Sequence, residues 1–471
     1  MSLKKLVVLV IIIIVAVIVA VSCGTRSVMR GAFREDRAGW SFVRLEGASR
    51  EIGYQHGRLL AAEIDDVLKT FAFYLKKETG RDWAFYRGAA EKVLWPRLER
   101  PIRMEIEGLA EGLRAGKSGL KYDRFDIAAL NGIIELAWYY EPALRMKRAE
   151  GGAGEAATKP PLRCSAFIAT GGWTADGRIV MGHNTWDDYL IGERWNVILD
   201  IVPDTGRRML MDAIPGFIHS GSDFVVNEAG LVYTETTISG FAGFDEKGVP
   251  EFARARTAAQ YAASIDDFIR IMTTDGNGGY ANDWLVGDVK TNEIARLELG
   301  LKNHRIWRTT DGWFAGANFP LDEKLIAEET TFNPDDADQS VYIRRDRWEQ
   351  LMAENKGKID VEKAMEFLGD HVDARSGEVR PSARTLCGHI DRDPAGAPEA
   401  NWGGFSPSGA VQAKVTSAGL AGEMKIWVRM GHPCGEEFLA APFAAAHPEY
   451  AWQLPYLRDM KANPWVLFQG R

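Results

Sequence analysis

Cysteine is scarce, with four in 471 residues, and that scarcity excludes a small scaffold held together by disulfides. Metal-ligand spacings are missing as well. The eight histidines include no His-Glu-x-x-His pair and no cysteines stand in Cys-x-x-Cys spacing, so no metal site is expected. Gly276-Asn-Gly-Gly279 lacks both the dinucleotide spacing and a P-loop lysine, and reads as a loop. No Gly-x-Ser-x-Gly elbow stands out, and no cofactor is expected. Repeats of fixed period and low-complexity blocks are absent. Positive charge is in deficit too: 57 Lys plus Arg against 65 Asp plus Glu give −8. That balance argues against a surface that tracks nucleic-acid phosphates.

What is present begins with a leader. Lys4 and Lys5 precede an unbroken apolar run from Leu6 to Val21, about 24 Å long as a helix, and then Ser22-Cys23-Gly24. Basic flank, apolar stretch and small-residue exit describe an export signal over residues 1–23. Its Ala20-Val21-Ser22-Cys23 ending resembles a bacterial lipobox, which would acylate Cys23. The expectation is an exported protein of the cell envelope or periplasm, anchored to the membrane by lipid at Cys23; no oligomeric state is read from the sequence. Of the other cysteines, Cys387 and Cys434 are left as either a disulfide or two buried thiols.

Apolar residues then recur at helical spacing: Ile52, Leu59, Leu60, Ile64, Val67, Leu68 and Phe71, followed by runs over 102–113 and 125–134. Residues 24–147 are expected to be a helical N-terminal part. Residues 148–163, rich in Gly, Ala and charge and carrying Pro160-Pro161, read as an exposed, cleavable linker. From Cys164 to the C-terminus the period shortens to strands flanking turn signals, with a helix carrying Ile265, Phe268, Ile269 and Met272. The fold class expected is α+β, antiparallel sheet covered by helices.

Cys164 opens a strand directly after the linker. A thiol there can attack the carbonyl of Arg163, shift the chain to a thioester and let water release a new N-terminus. The freed α-amine, with an ordinary pKa near 7.7–8.0, then serves as general base for its own side chain. If Asp176-Gly177 forms a two-residue hairpin tip, the partner of Cys164 lies near Tyr189, which brings His183 to Asp188 to the same end of the ribbon. Phe167, Trp173, Trp186, Tyr189 and Phe217 are candidates for an apolar acyl pocket.

These residues resemble a known group, the autoproteolytic N-terminal-nucleophile hydrolases that include penicillin (isopenicillin N) acyltransferase and the phospholipase B-like proteins. Glu51-Ile-Gly-Tyr-Gln-His-Gly57, Glu107-Gly-Leu-Ala-Glu-Gly112 and Asn131 to Leu136 are similar to the acyltransferase branch. Cys164-Ser-Ala-Phe, Gly182-His-Asn-Thr-Trp-Asp187, Tyr280 to Trp284 and Ala317-Asn-Phe-Pro320 are similar to the phospholipase B-like branch. The resemblance implies a four-layer αββα sandwich, cleavage at Arg163–Cys164, and Cys164 as nucleophile. It also implies oxyanion donors at Asn318 or Asn282, and site roles for Asp187 and His183; relative to the acyltransferase, the 183–187 run carries one extra residue. Trp186, Asp188 and Arg384 are expected to bind substrate, with Arg344 and Arg345 as further candidates for an anion clamp. The substrate expected is a small acyl amide or ester, of a lipid or N-acyl compound. A peptide or β-lactam-like amide is the alternative, and a catalytically silent binding protein on the same fold the third reading.

Overall fold

The computed structural model describes residues 28–149 and 163–470; the leader, Cys23 and most of the expected linker lie outside them. Among the described residues no helix is long and apolar enough to cross a membrane. Two sheets form the centre. The first has nine strands in the order β1 (Phe33–Arg37), β2 (Trp40–Gly47), β5 (Val197–Pro203), β6 (Met209–Ala213), β7 (Val225–Asn227), β8 (Leu231–Thr237), β9 (Asn282–Asp288), β10 (Glu293–Leu299) and β11 (His304–Thr309). The second has six, in the order β12 (Gly312–Gly316), β3 (Arg163–Thr170), β4 (Val180–Asp188), β13 (Ser408–Ser417), β14 (Lys425–Met430) and β15 (Val466–Gln469).

Strand alternation assigns the layers. On β3, Ala166 and Ile168 meet Phe42, Ile198, Leu210 and Leu285 of the other sheet. Phe167 and Ala169 point the opposite way, onto Trp348 and Phe367 of helices α7 (Ser340–Glu354) and α8 (Val361–Leu368). The outer face of the nine-stranded sheet, with Leu45, Leu199 and Tyr233, is covered by α1 (Ser49–Leu59), α2 (Ala61–Thr79), α3 (Arg100–Gly116), α4 (Arg124–Asn131), α5 (Glu251–Tyr261) and α6 (Ile265–Thr273). Helices, sheet, sheet and helices therefore stack in four layers, as the α+β expectation required.

Three features differ from the sequence reading. The N-terminal part is not purely helical, because β1 and β2 lie in it and extend the nine-stranded sheet. The sheets are not wholly antiparallel: β2 runs parallel to β5, from Ser41 opposite Val197 to Gly47 opposite Pro203. The hairpin of β3 and β4 has no two-residue tip. Residues 171–179 form a wider loop anchored by Thr174 beside Ile359, so Cys164 pairs with Thr185, four positions before Tyr189. The turn signal at Asp176-Gly177 was real, but Gly171 also turns with positive φ (65°) and lengthens the loop.

Candidate active site around Cys164

Cys164 is the second residue of β3 and is buried. Pairing with Thr185 places both side chains on the face toward the gap between the sheets. Its main-chain N–H donates to Asn318 Oδ1 at 3.0 Å. Its carbonyl accepts from Arg344 Nη1 at 2.7 Å. Arg344 also donates to Ser165 Oγ at 3.0 Å and to Asn318 Oδ1 at 3.1 Å, with its guanidinium 4.5 Å above the Trp186 ring. The Asn318 Nδ2 donates to the Thr237 carbonyl at 2.8 Å. A backbone at φ 69° aims the Asn318 amide in this way, a conformation asparagine tolerates better than most residues. Both main-chain ends of Cys164 are thus gripped by side chains from other elements.

Charged and polar groups crowd the inter-sheet side. Lys414 of β13 is fully buried and donates to Thr185 Oγ1 at 2.5 Å and Ser222 Oγ at 2.7 Å, with Asp212 Oδ2 at 3.5 Å. Burial holds its amine below the ordinary lysine range, while Asp212 pulls it back up. His183 pairs with Ala166 and donates through Nε2 to the Glu235 carbonyl at 3.1 Å. Burial, then Lys414, keeps its imidazole well below the ordinary range and so neutral. The Glu235 carboxyl accepts from Tyr280 at 2.7 Å and, with the Asn282 amide oriented to suit its neighbours, from Asn282 at 2.8 Å. Burial pushes the Cys164 thiol well up and Glu235 pushes it further; Lys414, the Trp186 main chain and Arg344 act against them.

The expected site residues separate under this geometry. Cys164, Asn318, Asn282 and His183 converge on one network, and of the arginines considered for a clamp Arg344 joins it, through Cys164, Ser165 and Asn318. Asn318 differs from its expected role: its carbonyl oxygen, not its N–H, faces Cys164. Asp187 lies two residues beyond Thr185 and borders a narrow apolar cavity with Phe71, Ile134, Trp138, Ile191, Trp195 and Phe217. Burial and the adjacent Asp188 hold its carboxyl well above the usual range. Of the five aromatics expected at an acyl pocket only Phe217 lines this cavity. Phe167 packs against Trp348 in the outer layer, Trp173 meets Trp313, and Tyr189 meets Phe438.

Alternation turns Trp186 to the outer face, against Cys387, Ile390 and Trp402. Asp188 accepts from Tyr74 at 2.5 Å, and burial pushes it up to about 7. Neither is arranged as expected for substrate. Arg384 is tied to Asp373 at 2.6 Å, and Arg345 to Asp346 at 2.9 Å. Lys414, Glu235 and Asp212 escaped the sequence reading: in Val411-Gln-Ala-Lys-Val415 polar and apolar residues alternate without a break, so Lys414 reads as one residue of a solvated face. Cys387 and Cys434 are free thiols. They stand with His371 and His389, four ligating side chains where none were expected to gather.

Residues 85–310 match the Phospholipase B family. Over that stretch the chain is similar to the family. An uncharacterised protein of Archaeoglobus fulgidus is 24% identical over 382 residues, covering 72% of this chain and 59% of its own length. Phospholipase B-like 2 proteins of Rattus norvegicus and Homo sapiens are 26% and 27% identical, each over 40% of this chain and 34% of theirs. The chain therefore spans less than two thirds of the length of these curated relatives. Among solved structures, a mutant conjugated bile acid hydrolase from Clostridium perfringens superposes with a TM-score of 0.34 at 9% identity, over 56% of this chain and 89% of that one.

Proposed function

We propose that the protein is an autoproteolytic cysteine hydrolase that cleaves an acyl ester or amide, of a lipid or N-acyl compound, through an acyl-Cys164 intermediate. One observation carries the reading: the main-chain nitrogen of Cys164 is held by a side-chain carbonyl, Asn318 Oδ1, at 3.0 Å. The match to the Phospholipase B family supports the acyl-ester class. In the first step the Cys164 sulfur attacks the Arg163 carbonyl, the peptide nitrogen leaves with the thiol proton, and water hydrolyses the thioester. Asn318 then accepts from the new α-amine, which takes the proton of its own thiol. The thiolate adds to the substrate carbonyl, the alcohol or amine leaves with that proton, and water releases the acyl group. Lys414 of β13, bonded to the Thr185 hydroxyl, favours the thiolate by charge.

In this reading the leader routes the protein to the envelope and Cys23 carries the lipid. Intact mass of exported protein, with N-terminal sequencing of the larger fragment, tests processing and anchoring together; Cys-Ser-Ala-Phe is the expected start. Cys164→Ala should stay one chain and hydrolyse nothing. Turnover by that variant, or full activity of an uncut chain, would overturn the proposal.

A further inference from the structure

Away from Cys164, two connections converge: the long one from α8 to β13, with His371, Cys387 and His389, and the one after β14, with Cys434. One ligating atom from each residue lies within 4.8 Å of all the others. His389 Nε2 stands 3.5 Å from Cys387 Sγ and 3.5 Å from Cys434 Sγ. Zinc–sulfur and zinc–nitrogen bonds of about 2.3 and 2.0 Å place the donors of a tetrahedron roughly 3.3–3.8 Å apart. Two edges of that tetrahedron are therefore already at length, and closing the others needs side-chain shifts of about an ångström. We propose that His371, Cys387, His389 and Cys434 bind one zinc ion as a structural site.

The donor chemistry favours zinc over the hard cations, because two thiolates and two imidazoles suit a tetrahedral, borderline-soft ion. Charge favours it too: two thiolates neutralise the dication, leaving a half-buried site with no net charge. Behind His389, its Nδ1 faces Asp391 Oδ1 at 3.6 Å, and Asp391 is itself fixed by the Tyr189 hydroxyl at 2.7 Å. A carboxylate in that place orients a ligating histidine. His371 Nε2 is buried with no hydrogen-bond partner among the described residues. Protein groups fill all four positions, which marks a closed, structural site.

The clip has a mechanical consequence. Gly388, between two ligands, lies so close to Trp186 that a Cβ there would fall 2.3 Å from the ring. Asn184 donates to the Leu368 and Leu386 carbonyls at 2.7 and 3.0 Å, tying β4 to the end of α8 and to the clipped connection. The ion would hold the wall behind Trp186, on which Arg344 rests. It does so whether or not Cys164 is the nucleophile.

Full-length protein purified without chelator should carry about one zinc per chain by inductively coupled plasma mass spectrometry. Cobalt exchange should give tetrahedral visible bands with a thiolate charge-transfer band. That spectrum should persist in Cys164→Ala and vanish in the Cys387→Ser/Cys434→Ser double variant. Chelation should lower the melting temperature and expose two further reactive thiols. No metal after incubation with zinc and dialysis would overturn the proposal. So would an intact mass showing Cys387 and Cys434 joined as a disulfide, or full metal content in a folded double variant. Should the double variant fail to fold, the cobalt spectrum of the otherwise intact protein decides.

Discussion

Asn318 presents its carbonyl oxygen to Cys164 and spends its N–H groups on Thr237. A donor for developing negative charge would be turned the other way; under the proposed mechanism Asn318 instead holds the nitrogen of Cys164. Asn318→Asp keeps the acceptor and should retain cleavage and kcat within about 10-fold, whereas Asn318→Ala should lose roughly 10- to 100-fold, the worth of a hydrogen bond to a charged group. Equal loss in both variants would return the N–H to the oxyanion role. His56 makes a second residue-scale case. Its Nε2 accepts from the Gly216 N–H at 3.2 Å, and burial pushes its pKa from 6.5 down to about 3. Between those values the unfolded chain binds the proton and the folded one does not, so this histidine's contribution falls as pH drops below 6.5. His56→Gln keeps an acceptor without titrating. Urea melts should show it less stable near pH 7, with the gap closing by about 1.4 kcal/mol per pH unit under acid. A gap independent of pH would mean that His56 is not held neutral.

Among elements, α1 and α3 meet through a seam of glycines. A Cβ at Gly53 would fall 1.9 Å from the Glu105 carbonyl, and at Gly112 2.0 Å from the Tyr54 carbonyl. Gly57 and Gly108 are as tight, each 2.1 Å from a main-chain oxygen. Those glycines belong to the two helical segments that resemble the acyltransferase branch, so both motifs encode packing distance rather than chemistry. Gln55, between them, donates to the Glu46 carbonyl at 2.8 Å and seats the helix on β2. Gly53→Ala or Gly112→Ala should destabilise by about 1–3 kcal/mol or more through overpacking. Thermal melts should register this, while the chemistry of whatever remains folded is unchanged. A neutral effect on stability would mean that the helices separate freely.

At the scale of the whole molecule, cleavage after Arg163 would leave two chains sharing one sheet. The N-terminal fragment keeps β1 and β2, and β2 is bonded to β5 of the other fragment over seven residue pairs from Ser41 to Gly47. Its helices also cover Leu199, Met211 and Tyr233 of the larger fragment. The fragments should co-elute in size-exclusion chromatography and part only in denaturant, with a single unfolding transition for both. Separation under native conditions would mean that this shared sheet does not hold the halves.

Hydrophobic period and turn residues determined α1 to α4, α6 and the α+β class, because those signals act between near neighbours. The position of Cys164, opening a strand after a linker, was legible for the same reason. Long-range pairing was not: nothing local to β2 says that its neighbour is β5 in parallel, and the wide loop after β3 displaced the register by four residues. That displacement, an even number, put Thr185 rather than Tyr189 beside Cys164 but left the faces unchanged, since strand faces alternate with every residue and Trp186 is on the outer face in either register. Lys414, Glu235 and Asp212 come from three strands distant in sequence, and only the packing of one sheet on the other gathers them. His371, Cys387, His389 and Cys434 lack any familiar spacing because three come from separate parts of the α8–β13 connection and one from beyond β14, and their meeting is decided by tertiary structure alone.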